Sequence, residues 1–316
     1  MTYKLSMLSN MSKIRSVNIN NVFQKYVNSA KPIFFDVSLR DGIQGMPKSR
    51  QENFSLNDKI DIFHNILFNY KPEKIEIGSI VNPKILPIMA DSLKLYEYAI
   101  NYIKKTKDYN PNIYVVAPNK KAVLIGLENG VSNFSLLTSI SNSFQKMNVN
   151  KTIYETRKEF TEIFRLVENY DPEINTKLYI SCINDCPLEG KLDNDLIIHE
   201  IMTYHKMFPG FQEYCLSDTC GSLKVEDYKY ILDSCIFFGL PPSKISLHLH
   251  INKDNLEEIT QIIYHSLDNS VIRFDVSILE TGGCSVTMPT SNLLPNLSYE
   301  ILNSVRSKYL KIKSDD

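Results

Sequence analysis

The sequence predicts an α/β fold built as a single closed (β/α)8 barrel, and three observations predict it. Eight short β-branched or aromatic runs alternate with stretches of helical apolar spacing from residue 33 to residue 278. Eight such units in a chain of 316 residues suit a closed parallel barrel better than an open doubly wound sheet. No Gly-x-Gly-x-x-Gly follows the first run, which weakens a dinucleotide-binding alternative.

The runs are, in order, 33–39, 74–78, 112–116, 131–137, 177–182, 213–217, 245–250 and 272–278. Each is rich in Ile, Val, Phe, Tyr or Leu, as strands buried on both faces should be. Between them, Ile60, Phe63, His64 and Leu67 repeat at helical spacing, as do Leu196, Ile197, Glu200 and Ile201. The chain therefore divides into a basic N-terminal extension, residues 1–30, and one barrel domain, 31–316.

Composition excludes several classes. Hydrophobic residues make 43% and charged residues 22%, so most of the chain can fold around a core. Lys and Arg total 35 against 36 Asp and Glu, a net charge of -1, which leaves no broad basic footprint for nucleic acid. No apolar run reaches the ~18 residues of a membrane span, so no membrane partner is expected. Six cysteines in so long a chain are no disulfide framework, and reduced thiols in an intracellular compartment are the expectation. The extension carries Lys4, Lys13, Arg15 and Lys25, and no acidic residue precedes Asp36. A single arginine favours a mobile tail, hence a cytoplasmic protein, over an organellar transit segment, whose address would be the mitochondrial matrix. The C-terminal Lys-Ser-Asp-Asp matches no lipidation or peroxisomal address.

In a barrel the chemistry sits where strands end. In the seventh run Ser246, His248 and His250 share one parity, and Leu247, Leu249 and Ile251 the other. The leucines should pack on the helices and the imidazoles face the interior, where two histidines can converge on one divalent cation. A hydrogen-bonded histidine pair is the plain structural alternative. In the first run Asp36, Ser38 and Arg40 share the expected inward parity, with Asp41 at the start of the loop. Charges inside a core strand cost several kcal/mol unless paired, so a partner or ligand is expected. Glu76, between Ile75 and Ile77, faces inward and can pair with Arg40. Thr281-Gly282-Gly283-Cys284 follows the eighth run and reads as a mobile loop bearing a thiol, for which a small buried hydrophobe is the alternative. Asn292 beyond it offers a neutral oxygen, and Asp218 ends the sixth run as a further carboxylate at the mouth. Cys182 and Cys186 lack a second Cys/His pair for zinc and read as structural, like Cys215, Cys220 and Cys235.

Several stretches together resemble a known family. They are 38–44 (Ser-Leu-Arg-Asp-Gly-Ile-Gln), Ile75-Glu76, 77–84 with 87–91, 179–182 with 186–191, 216–219, His248-Leu249-His250 and Gly282-Gly283-Cys284. In this order they are similar to the metal-dependent acyl-CoA lyases and Claisen-type synthases whose superfamily is named for an Asp-Arg-Glu set on a TIM barrel. Within it, they most resemble the 3-hydroxy-3-methylglutaryl-CoA lyases. The resemblance implies a carbon–carbon lyase that cleaves 3-hydroxy-3-methylglutaryl-CoA, or a related 3-hydroxyacyl-CoA, to acetyl-CoA and acetoacetate. It implies a Mg²⁺ or Mn²⁺ ion on Asp41, His248, His250 and Asn292. Arg40 would stabilise the enolate, with Gln44 beside it as a substrate contact. Cys284 would be the acid, Glu76 would orient Arg40, and Asp218 would support the metal ligands or the substrate hydroxyl. The partner is then a small acyl-CoA, and a homodimer is compatible with it. Two alternatives are an acetyl-CoA/2-oxo acid synthase and a catalytically silent relative that only binds metal or acyl-CoA. Departures from the family pattern cluster around the substrate: Ile251-Asn252-Lys253-Asp254 after the His-x-His, Glu280 and Thr281 before the glycines, Ser285 after the thiol, and a segment to Asn292 one residue short.

Overall fold

A computed structural model of the chain describes residues 31–106, 109–171, 173–283 and 287–315. The extension 1–30 and Cys284 lie outside the described residues. Eight parallel strands close on themselves in the order β1-β10-β9-β8-β5-β4-β3-β2. They are β1 (Ile33–Asp36), β2 (Lys74–Ser79), β3 (Asn112–Val116), β4 (Asn133–Ser139), β5 (Asn175–Ser181), β8 (Glu213–Ser217), β9 (Ile245–His248) and β10 (Arg273–Val276). All eight expected runs became barrel strands, with ends moved by a few residues. A two-stranded antiparallel hairpin, β6 (Asp185–Cys186) and β7 (Gly190–Lys191), stands on the rim after β5. No described helix is long and apolar enough to cross a membrane.

Two layers explain the closure. Outward side chains such as Ile75, Ile77, Val115, Leu136, Leu178, Ile180, Leu247 and Leu249 merge with the helices into one buried cluster. Each such side chain contributes ~1.5–3 kcal/mol by leaving water. Helix starts are fixed locally: Ser55 and Asp58 form a reciprocal capping box before Leu56–Asn65, and Thr152 with Glu155 does the same before Ile153–Tyr170. The inner layer is polar. Lys74 donates to Glu213 at 2.6 Å, Lys177 lies 3.3 Å from Glu213, and Lys177 also pairs with Asp275.

The first strand corrects one expectation. Asp36 faces outward, not inward: it accepts a 2.8 Å hydrogen bond from Tyr299 on the last helix, Tyr299–Asp315. Phe35 takes the inward position, with the Lys177 ammonium 3.4 Å from its ring centroid. Phe34 and Phe35 are both aromatic, so the run gave no phase; a strand buried on both faces carries none. After Asp36 the backbone leaves the strand in a wide π-type turn, Ser38–Gly42, closed by Gly42 N–H to the Val37 carbonyl at 3.0 Å. That turn, rather than strand parity, swings Arg40 and Asp41 over the barrel mouth.

Candidate metal centre and active site

Three groups from different elements meet at the carboxyl end of the barrel. Asp41 from the π turn and His248 and His250 from the end of β9 each offer a ligand atom within 4.8 Å of the others, and all three are buried. The imidazoles stand edge to face, 4.9 Å between centroids. His248 Nε2 faces Asp41 Oδ2 at 3.8 Å, while its Nδ1 lies 3.1 Å from Asp275 Oδ2. A carboxylate behind a histidine fixes its tautomer and turns the opposite nitrogen's lone pair toward a metal. His250 is neutral because burial, and then its neighbour His248, push it down to about 4. Burial alone would raise Asp41, but the Arg40 guanidinium and the two imidazoles hold it well below the ordinary carboxylate range.

The donor set fits a divalent cation. Among the described residues His250 Nδ1 and Asn296 Oδ1 are buried and lack a hydrogen-bond partner, a costly state that a cation would relieve. Asn296 stands beside His250 because residues 249–251 and 295–297 form an antiparallel bridge, with Ile251 N–H to Pro295 O at 2.8 Å and Leu297 N–H to Leu249 O at 3.0 Å.

Arg40 is held from three sides. Its Nε donates to Glu76, its Nη1 to Asp41, and its guanidinium carbon lies 5.1 Å from the Tyr179 ring centroid. Tyr179 Oη donates to the same Glu76 carboxylate at 3.3 Å. The inward Glu76 and its pairing with Arg40 are thus present as expected. A cavity of about 620 Å³ opens from this group across the ends of β2, β3 and β4, and its wall includes Arg40, Gln44, Tyr179, His248 and His250. Farther from that group the wall mixes apolar Val81, Ile85, Ile125 and Met147 with Asn119 and Lys121. A charged inner end and a cavity of this size suit a ligand with a polar reacting head.

Two expected site residues are not brought into the cluster. Asn292 is exposed on a short 3₁₀ turn and accepts from Ser291 Oγ at 3.0 Å; the asparagine beside the histidines is Asn296. Asp218 is buried, and its carboxylate accepts the Ser222 and Leu223 amides, each at 3.1 Å, so it closes the loop after β8. Burial, despite those amides, pushes Asp218 up to about 6. Glu280 is exposed. The loop before Cys284 is packed: Gly283 N–H donates to Asp41 Oδ2 at 2.7 Å, and Thr281 Oγ1 donates to Gly42 O at 2.7 Å. Sequence reasoning missed Asp275, Lys177, Tyr179 and Asn296. An inward aspartate between Phe274 and Val276 in the last strand was the one available signal among them.

A closed parallel barrel with a buried carboxylate–imidazole cluster and a fixed arginine at its carboxyl rim defines a TIM-barrel protein with a candidate metal centre at the mouth. The chain belongs to the HMGL-like family, whose model matches residues 31–256. Among curated proteins it is 25% identical over 254 residues to the 3-hydroxy-3-isohexenylglutaryl-CoA/hydroxy-methylglutaryl-CoA lyase of Pseudomonas aeruginosa, covering 79% of this chain and 77% of the relative. It is 27% identical over 260 residues to the mitochondrial hydroxymethylglutaryl-CoA lyase of Macaca fascicularis, covering 82% and 74%. The fold matches a solved HMG-CoA lyase from Acinetobacter baumannii, in complex with coenzyme A and 3-methylmalate, at a TM-score of 0.72 and 22% identity, covering 89% of this chain and 84% of that one.

Proposed function

We propose that residues 31–316 are one barrel domain that cleaves 3-hydroxy-3-methylglutaryl-CoA, or a closely related 3-hydroxyacyl-CoA, to acetyl-CoA and acetoacetate with Mg²⁺ or Mn²⁺ bound. The observation that carries this reading is the buried Asp41–His248–His250 cluster beside an arginine locked by Glu76 and Tyr179. Asp41, His248, His250 and, in place of Asn292, Asn296 would hold the ion. Bound there, it would act as a Lewis acid that eases loss of the substrate's tertiary hydroxyl proton.

The chain's own residues do the rest. Two of the five N–H donors of Arg40 are spent on Glu76 and Asp41, and the guanidinium borders the cavity. Its remaining donors can meet the thioester oxygen, where negative charge develops as the carbon–carbon bond breaks. A charge fixed in advance costs no reorganisation at that moment. Glu76 and Tyr179 hold the guanidinium plane, and burial of the site excludes bulk water from the enolate. Cys284 then protonates the enolate carbon, and the tie between its neighbour Gly283 and Asp41 supports that role. The mixed wall beyond Arg40, with Ile125 and Met147 beside Asn119 and Lys121, would take the pantetheine.

Supplying 3-hydroxy-3-methylglutaryl-CoA with either ion should yield acetoacetate and acetyl-CoA in equal amounts. No acetoacetate at any ion concentration, with manganese binding intact, would overturn the substrate assignment.

A further inference from the structure

Cys182 and Cys186, which the sequence alone reads as structural, form a paired site outside the catalytic cavity. Cys182 follows the last residue of β5, and Cys186 lies in the β6–β7 hairpin. Both side chains are buried, and the two thiols lie close enough to shift each other's titration in opposite directions. The Leu188 amide donates to the second sulfur at 3.4 Å, the Cys186 thiol reaches the Ser141 hydroxyl oxygen at 3.2 Å, and the Glu189 amide lies beside them. The Glu189 carboxylate, which accepts the Ser143 amide at 3.3 Å and bonds the Ser141 hydroxyl, borders this cradle. The Cys182 thiol, then Ser141 and the amides, bring Cys186 down to about 5 despite burial, while the same contact pushes Cys182 up. Deprotonation of Cys186 beside the Cys182 thiol gives the state from which oxidation proceeds.

The backbone holds the pair in place. Cys182 sits at φ +63°, a left-handed conformation uncommon for a residue with a Cβ. Its amide is anchored to Thr219 Oγ1 at 2.8 Å. Residues 188–190 of the hairpin turn, whose Leu188 amide meets the Cys186 sulfur, are exposed. A small reagent can therefore approach that sulfur by displacing one short turn.

We propose that Cys182 and Cys186 are a redox-active dithiol that hydrogen peroxide converts to a reversible intrachain disulfide. The Cys186 thiolate attacks a peroxide oxygen and the O–O bond breaks. The departing oxygen leaves as water after protonation, and Cys186 is oxidised to sulfenic acid. The Cys182 sulfur then attacks the sulfenyl sulfur, forming the S–S bond and breaking S–O. The departing hydroxide takes the Cys182 proton and leaves as a second water. Two electrons from the sulfurs reduce one peroxide, and a dithiol reductant reverses the change by exchange. The site touches the cavity wall on both sides. Ser141 caps the helix Asn142–Val149, which places Phe144 and Met147 on that wall, and Ser181 and Thr219 flank Cys182 there. The proposal stands whether or not the lyase reading does.

The test treats the full chain with hydrogen peroxide, alkylates it and maps it after trypsin, which leaves both thiols in the single peptide Leu178–Lys191. That peptide should lose two hydrogens, resist alkylation and regain both labels after dithiothreitol. Cys182→Ser should leave Cys186 as a sulfenic acid trapped by dimedone. Cys186→Ser should leave Cys182 fully alkylatable, and Cys220→Ser should change nothing. Two alkylatable thiols in that peptide, at peroxide doses that oxidise glutathione in the same tube, would overturn the proposal, as would a bond from Cys186 to Cys220.

Discussion

Asp275→Asn tests whether the barrel interior tunes the metal centre. Asp275 lies between two groups: it pairs with the fully buried Lys177 through Oδ1 and meets His248 Nδ1 at 3.1 Å through Oδ2. Burial opposes its charge, but Lys177 and then His248 keep it below the ordinary aspartate value. As a carboxylate it can only accept, so it holds the proton on Nδ1 and leaves Nε2 bare on the side of Asp41. An amide at 275 can instead present its NH₂ to Nδ1, which favours the other tautomer and points an N–H at the ion. Removing such a carboxylate behind a metal histidine typically weakens binding ~10–100-fold, which is ~1.4–2.7 kcal/mol. Stability should fall less than the ~3–5 kcal/mol of a severed buried pair, because Glu213 stays 3.3 Å from Lys177 and the amide oxygen still accepts from it. A manganese titration followed by electron paramagnetic resonance reads the affinity, and a melt of the metal-free protein reads the fold. Manganese affinity changed less than ~2-fold in a variant with a lowered melting temperature would show Asp275 to be a packing partner of Lys177 and nothing more, against the expectation from such supporting carboxylates.

Asn296→Ala should weaken manganese binding by ~10-fold or more, whereas Asn292→Ala should leave it unchanged; the reverse ranking in the same titration would restore Asn292 to the site. Arg40→Lys keeps the charge but cannot reach Glu76, Asp41 and an enolate oxygen together, so kcat for acetoacetate release should fall ~10²–10³-fold with manganese affinity retained. Asp36 gives a pH prediction: burial pushes it from 3.8 up to about 6, so the folded state holds this proton more tightly than the unfolded chain. Its contribution is therefore present below 3.8 and is lost as pH rises through about 6, at most ~3 kcal/mol. Asp36→Asn, which can still bond Tyr299 and Ser38, should be more stable than wild type in urea at neutral pH, with the gain vanishing toward pH values below 3.8.

Legibility followed the range of the interactions. The eight strands and the His-x-His rest on local patterns, so they could be read directly. The phase of β1 could not, since Phe34 and Phe35 leave its two faces chemically alike; only Tyr299, 263 residues away, claims Asp36. Lys177 and Asp275 are 98 residues apart and sit on β5 and β10, which are not neighbours in the barrel. Their pairing across the interior depends on closure and on the shear of every strand between them, which leaves no motif. That Asn296, and not Asn292, stands beside His250 was hidden for a similar reason. The register of residues 295–297 is fixed by a bridge to 249–251, and counting from the thiol cannot reproduce it.

The two glycines before Cys284 show how one residue type supports opposite inferences. From sequence they suggest a hinge, because glycine lowers the cost of many conformations. In the folded chain Gly282 meets a different constraint: an added Cβ would stand 2.6 Å from Asn296 Nδ2 and 2.9 Å from the Asn296 backbone nitrogen. A Cβ on Gly45 would strike the Gly282 carbonyl itself. Gly283 at φ +94° then turns its amide onto Asp41. These glycines are there for close approach, and they seat the loop between the π turn and the residue that flanks His250. Gly282→Ala should therefore act on the site more than on the fold. Asn296 has to move, so manganese binding and acetoacetate formation should fall together, each by ~10-fold or more, with the melting temperature lowered by only a few degrees. A pure hinge predicts otherwise: slower turnover with manganese affinity untouched, which the same titration would reveal.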